Sequence, residues 1–301
     1  MGRTSSMHRP ASHPVLAVLL VVLAVASFAS LDTSTKLLTA AVPVTMLVWW
    51  RFLFQAGVAL VALRPRSGEP LWRTRHPWLQ GLRGLMLVLC TVFAYFSLRF
   101  MPMGEFTAIL MLTPLLITVL AAISLGERVS WLRWLLVLGG LGGALIVIRP
   151  SGADVDWALL LPLGLVVANA LYQILTSRLA GLEDLNTTHF YTGVVGAALA
   201  SLALPWTWQA LPSWQVAGLL LLVCLFSSVG HFLLIQAYAR APAGTLTPYL
   251  YFQIVFATLG GWVVFGHVPD RWSLVGIAVI GACGVTGTWI AARENRRRVP
   301  A

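Results

Sequence analysis

The chain has 301 residues, of which 58% are hydrophobic and 10% charged, against roughly a quarter charged in a soluble globular domain. That balance excludes an ordinary water-soluble domain and describes a chain dissolved in lipid. The formal net charge of +10 is no nucleic-acid footprint, because the basic residues punctuate long apolar runs instead of gathering on a polar domain.

Residues 1–13 are polar and carry Arg3 and Arg9. The apolar run that follows resembles a signal peptide, with Ala24-Val25-Ala26 as a candidate cleavage site. It is read instead as a retained helix over 14–38, because a later stretch, 155–178, matches it at an offset of 142 that places Lys36 on Arg178. Further apolar runs predict helices over 43–63, 78–98, 104–125 and 132–148, then 156–177, 187–204, 214–237, 243–266 and 272–292. Each approaches the roughly 20 residues that cross about 30 Å of hydrocarbon.

The stretch 95–150 recurs near the C-terminus. At an offset of 140, Pro102, Gly104, Thr107, Leu110, Thr118 and Gly126 meet Pro242, Gly244, Thr247, Leu250, Thr258 and Gly266. About two such identities are expected by chance over this length. One inserted residue then aligns Trp131 with Trp272, Gly140 with Gly281 and Gly143 with Gly284. Two halves of five crossings each must enter the bilayer from opposite sides, so the repeat is inverted. The expected fold is an all-α membrane protein of ten transmembrane helices in two inverted five-helix repeats. Its parts are a tail at 1–13, repeats at 14–150 and 151–292, and a basic tail at 293–301.

Loop charges agree with this count. Ten spans with both termini cytoplasmic put fourteen basic residues inside and leave Lys36, Arg99, Arg149 and Arg271 outside, with Arg51 and Arg83 within helices. That is the expected bias of cytoplasmic loops, and the expected location is the inner (plasma) membrane. Most of the thirteen tryptophans, among them Trp72, Trp78, Trp131, Trp134, Trp157, Trp206, Trp208, Trp214 and Trp272, fall near span ends, where interfacial anchoring explains them. The GGLGG run at Gly139–Gly143 lacks the preceding strand of a nucleotide loop and reads as a surface for close helix approach. Cys90, Cys224 and Cys283 lie apart in apolar runs without metal-ligand spacing, and no cofactor motif accompanies them.

The pattern P-M-G-E-F-T-A with T-P at Pro114, L-G-E-R at Leu125–Arg128, I-R-P at Ile148–Pro150, Lys36 in the first helix and Arg51-Phe52 in the second resembles the drug/metabolite transporter superfamily. The EamA type is the most similar. The resemblance covers nearly the whole chain and implies a ten-helix carrier of small metabolites working by alternating access. Export of amino acids, aromatic or other apolar ones among them, is the leading expectation. Uptake or exchange of a larger metabolite such as S-adenosylmethionine is the alternative, and a structural or receptor-like membrane protein a further one. The second half departs from the pattern, with Gly266-His267 against Gly126-Glu127 and Ile254 against Pro114. Glu127 is therefore read as a loop residue that caps or pairs with Arg128 or Arg133.

Polar residues inside spans carry a cost of roughly 2.5–3.5 kcal/mol per charge and mark function. Arg51 lies about 12 Å and Asp32 about 9 Å below the outer face by helical rise. Adjacent antiparallel helices would pair them, with Lys36 sharing the charge. This pair is read either as structural or as a site in which Arg51 receives a substrate carboxylate or Asp32 takes up a coupling proton. Thr91, Tyr95, Thr113, Asn169, Tyr172, Gln173, His231, Gln236, Tyr249 and Gln253 form a second constellation. Their amides and phenols suit a zwitterionic or aromatic solute, with interhelical hydrogen bonding as the alternative. Asn169 and Gln173 share one helical face. His231 is the one histidine well inside a span and a candidate proton acceptor, while His189 and His267 sit near span ends. Pro114 and Pro248, in related helices, are candidate hinges. No H-E-x-x-H or G-x-S-x-G motif and no His/Asp cluster supports an enzyme.

Overall fold

The computed structural model describes residues 14–38, 41–63, 69–100, 109–126, 129–148, 160–266 and 270–296. The expectations placed on residues 1–13, Glu127, Arg128, Trp157 and His267 lie outside them. Hydrocarbon offers no partner for peptide groups, so a spanning segment must satisfy its own, as a helix does. The apolar runs accordingly fold as α1 (Pro14–Leu38), α2 (Val44–Ala62), α3 (Pro77–Phe100), α4 (Thr113–Ser124), α5 (Trp131–Ile148), α6 (Leu160–Leu179), α7 (Leu185–Ser201), α8 (Trp214–Tyr238), α9 (Ala243–Leu250), α10 (Phe252–Phe265) and α11 (Arg271–Arg296). Among the described residues there is no strand. α1, α2, α3, α6, α8 and the pair α9–α10 are long and apolar enough to cross a membrane, and shorter apolar stretches lie at Thr113–Ser124, Trp131–Val147 and Arg271–Gly287.

Local chemistry sets the ends. Asp184 caps α7 by accepting from the amides of Asn186 (2.9 Å) and Thr187 (3.4 Å), and Ser213 caps α8 by accepting from Val216 N (3.3 Å). Gly126 and Gly266, one of the repeated pairs, follow α4 and α10 in left-handed conformations with φ of 64° and 70°. That conformation closes a helix and costs a side-chain-bearing residue about 1–2 kcal/mol.

The span expected over 243–266 is two helices, divided at Tyr251. Pro248 has no N–H to give the Gly244 carbonyl, and the Thr247 hydroxyl donates to that carbonyl instead at 3.3 Å. In the first half Ile109 and Leu110 are helical, Met111 and Leu112 form a turn, and α4 starts at Thr113. Met111 and Tyr251 are 140 residues apart, so both halves break at the same place. Pro114 therefore opens a helix, where its missing N–H costs nothing. Pro114 thus stands in the first turn of α4, whereas Pro248 lies inside α9, three residues before Tyr251.

The two halves interlock. α1 packs most extensively on α8 and its repeat counterpart α6 on α3; α2 packs on α7 and α5 on α11; α1 lies against α10 as α6 lies against α4. Consecutive α1 and α2 barely touch, contrary to the neighbour relation expected from the sequence. Small residues permit this. A Cβ on Gly143 would lie 2.9 Å from the Gly276 carbonyl oxygen, one on Gly139 2.7 Å from Cys283 Sγ, and one on Gly193 2.4 Å from the Ala56 nitrogen. The outside is apolar, with Leu19, Val61, Ile123, Leu221 and Val263 exposed as a lipid-facing surface requires. Trp72, Trp78, Trp131, Trp206, Trp208, Trp214 and Trp272 are exposed near helix ends, in keeping with interfacial anchoring.

Candidate functional site

A cavity of about 150 Å³ lies at the centre, walled by α1, α2, α3, α6, α8, both breaks and the helices beside them. The breaks contribute Leu110, Met111, Thr113 and Pro114 from one half and Leu250 and Gln253 from the other. Irregular backbone within a membrane is tolerated where it lines such a hollow, and it supplies polar groups there.

Arg51, 5% exposed, is the principal charge of the wall. Its Nη1 donates to Thr91 Oγ1 (2.9 Å), its Nε to Ser227 Oγ, and its Nη2 approaches His231 Nε2 (3.4 Å). The Thr91 hydroxyl donates back to the Leu87 carbonyl (2.9 Å), so only its lone pairs face the guanidinium. His231 Nδ1 lies 2.7 Å from the Ser227 carbonyl, which can only accept. The ring proton is thereby assigned to Nδ1, and Nε2 is left as acceptor. Phe28 packs edge-on against the His231 ring (4.8 Å between centroids), as does Tyr172 (5.8 Å).

Asp32 lines the same cavity but makes no ion pair with Arg51 within 4.0 Å. It accepts from Gln253 Nε2 of α10 at 3.1 Å. The expected direct pair fails because α1 packs on α8 and α10, not on α2. Lys36 is exposed, with its ammonium 4.8 Å from the Phe265 ring centroid.

Of the second constellation, Thr91, Thr113, Asn169, Tyr172, Gln173, His231 and Gln253 line the cavity. Gln173 donates to Asn169 Oδ1 (3.0 Å) and accepts from the Tyr238 hydroxyl, so both its polar groups are committed within the wall. Thr113 Oγ1 is buried without a partner among the described residues. Three residues of the set lie elsewhere. Tyr95 is buried and hydrogen-bonded with Thr35 of α1. Tyr249 turns toward α11, where a Cβ on Gly287 would meet its Oη at 2.8 Å. Gln236 accepts from Arg240 Nη1 (2.6 Å) and borders a second hollow with Leu63 and Phe232. Of the two candidate hinges, Pro248 lies inside α9 and Pro114 in the first turn of α4, where it reaches the cavity.

The sequence reading passed over Arg83 and discounted His189. Arg83 is 0% exposed and ties α3 to α6 and α7. It donates through Nε to Thr176 Oγ1 (2.7 Å), through Nη1 to the Thr188 carbonyl (3.2 Å) and Thr192 Oγ1, and through Nη2 to Tyr172 Oη (2.8 Å). Arg83 bears the same burial cost as Arg51 and stands six residues inside an apolar helix. His189 is buried between Gln55 and Ser228 although it lies only four residues into α7.

The EamA-like transporter family model matches residues 15–149 and again 156–289. A riboflavin transporter of Rhizobium johnstonii is 30% identical over 310 residues, spanning 100% of this chain and 99% of that protein. An S-adenosylmethionine uptake transporter of Rickettsia bellii is 25% identical, covering 86% of this chain and 88% of the relative. A pseudopaline exporter of Pseudomonas aeruginosa is 27% identical, with 88% and 94% covered. A solved crystal structure that is 22% identical superposes with a TM-score of 0.76 over 93% of this chain and 98% of its own, which speaks for the fold.

Proposed function

The chain belongs to the EamA-like transporter family, and on that premise we propose that it carries amino acids or related zwitterions across the inner membrane through the central cavity by alternating access. The observation that carries the reading is Arg51. It is a buried cation at the cavity wall whose partners Thr91, Ser227 and His231 are neutral, and whose guanidinium keeps N–H groups to spare. A substrate carboxylate fits that fork. Asp32, on another wall and held by the Gln253 amide, offers the complementary charge to an ammonium group. Thr113 Oγ1 and the Asn169 amide supply neutral hydrogen bonds between them.

Riboflavin is the second reading. The relative that matches the whole chain favours it, and Phe28 and Tyr172 give the cavity aromatic surface. Counterflow in proteoliposomes separates the two: vesicles loaded with unlabelled solute are assayed for uptake of the labelled solute, with and without an imposed pH gradient. Saturable exchange of amino acids without exchange of riboflavin supports the first reading. Exchange of riboflavin alone reverses it.

A further inference from the structure

The repeat makes the two mouths of the cavity comparable, and they are built differently. α3 begins, α6 ends and α7 begins at the end of the bundle that the loop charges place in the cytoplasm. Arg83 sits just inside that end, one turn beyond Gln80. At the 140-residue offset Gln80, Arg83 and Gly84 correspond to Leu220, Val223 and Cys224. Those three are buried at the opposite end in an apolar cluster with Leu38, Val42, Met46 and Leu47 of α1, α2 and the turn between them. One seam is thus sealed by hydrocarbon and the other by a guanidinium.

We propose that Arg83 is a releasable latch, a positioning residue that holds α3, α6 and α7 together at one mouth and reports to the cavity through Tyr172; the proposal rests on the alternating-access reading above. The chemistry of its partners makes the latch releasable. Among the described residues no carboxylate lies within 4.0 Å of it. Thr176 and Thr192 turn their hydroxyl hydrogens back to the Tyr172 (2.7 Å) and Thr188 (2.8 Å) carbonyls, so each presents only a lone pair to the cation. Water can replace neutral acceptors of this kind as the mouth opens, whereas parting a buried guanidinium from a carboxylate would leave two opposite charges to be solvated. Gln80 Oε1, buried beside the latch without a partner among the described residues, gains a hydrogen bond when that water enters. Tyr172 links the latch to the site, because its hydroxyl accepts from Arg83 while its ring packs on His231, which accepts in turn from Arg51. Outside the latch, Glu183 Oε1 accepts from the amides of Arg75 and His76 (2.8 Å each) and Tyr191 Oη donates to the Trp72 carbonyl (2.8 Å), drawing the loop before α3 over the same mouth.

The test uses detergent-purified full-length protein with Cys90, Cys224 and Cys283 replaced by alanine and one reporter thiol, either Gln80→Cys at the latched mouth or Met46→Cys at the apolar one. Reaction rates with a charged maleimide are compared for the parent and for Arg83→Gln, Thr176→Val and Thr192→Val, the last two keeping the arginine and the side-chain volume. Loss of the latch raises the rate at Gln80→Cys by about tenfold, the population change that about 1.4 kcal/mol brings, and lowers the rate at Met46→Cys. Thr192→Ser restores both rates. Unchanged rates in both threonine variants overturn the latch, and so does a rise at both mouths together, which is what general loosening produces. No solute is needed, so failure of the counterflow assay would sink the transport reading without deciding this one.

Discussion

The seam between α5 and α11 provides a prediction whose size follows from the coordinates. A Cβ at Gly276 would lie 2.4 Å from the Gly143 carbonyl oxygen, 2.6 Å from Val147 Cγ2 and 3.0 Å from the Val147 nitrogen. Two of these are backbone atoms that cannot rotate away, so Gly276→Ala forces the helices apart by roughly 1 Å to reach ordinary contact. Overpacking of this kind costs about 1–3 kcal/mol, and the helical advantage of alanine over glycine returns about 0.5–1 kcal/mol. The net loss is therefore about 1–2 kcal/mol. At roughly 2 °C per kcal/mol for a chain of this size, the unfolding midpoint falls by about 2–4 °C. Gly281→Ala, in the same helix with nothing within 4 Å of the added carbon, instead raises the midpoint by about 1–2 °C. Tryptophan fluorescence followed through thermal unfolding in detergent measures both. Neither helix lines the cavity, so the half-saturation concentration for transported solute stays where it is in both variants. If Gly276→Ala melts together with Gly281→Ala, the close-approach argument is wrong.

Three other outcomes are expected. Arg51→Gln removes a charge-assisted bond of about 1.5–3 kcal/mol and weakens half-saturation by about 10- to 100-fold for an amino acid but not for the matching amine; equal losses for the two solutes would refute carboxylate recognition. Gly266→Ala, at φ 70°, destabilises by about 1–2 kcal/mol, while Gly261→Ala in the same helix, where an added carbon meets nothing within 4 Å, does not; matched melting curves would show that the left-handed closure of α10 is unimportant. Glu183→Ala strips the acceptor from the Arg75 and His76 amides, and hydrogen exchange over the loop before α3 accelerates by about tenfold or more; unchanged exchange would mean that the loop is held otherwise.

The sequence determined the solvent, the helices and the repeat, because each is written in local composition: apolar runs of spanning length, basic loops, tryptophans at their ends and identities 140 residues apart. Gly126 and Gly266 were legible as a repeated pair, and their shared φ explains why the pair is glycine. Arg51 and the amides of α6 were legible as polar interruptions, since a costly residue in an apolar helix stands out wherever it sits.

Tertiary structure alone decided which side chains meet. Asp32 and Arg51 were expected to pair because their helices are consecutive, yet the inverted halves interdigitate, and each helix spends its best packing on the other half. Asp32 thus faces Gln253 and Arg51 faces Ser227, partners 221 and 176 residues away. Tyr249 and Tyr95 turn to α11 and α1, helices of their own halves, and His189, near a helix end in sequence, is buried where α2, α7 and α8 converge. The helical period gives each residue a direction on its own helix, but the rotation and neighbours of that helix are fixed only when all the glycine contacts and buried hydroxyls are satisfied together. The latch around Arg83 belongs to that second level, since its four acceptors come from two helices more than 85 residues beyond it.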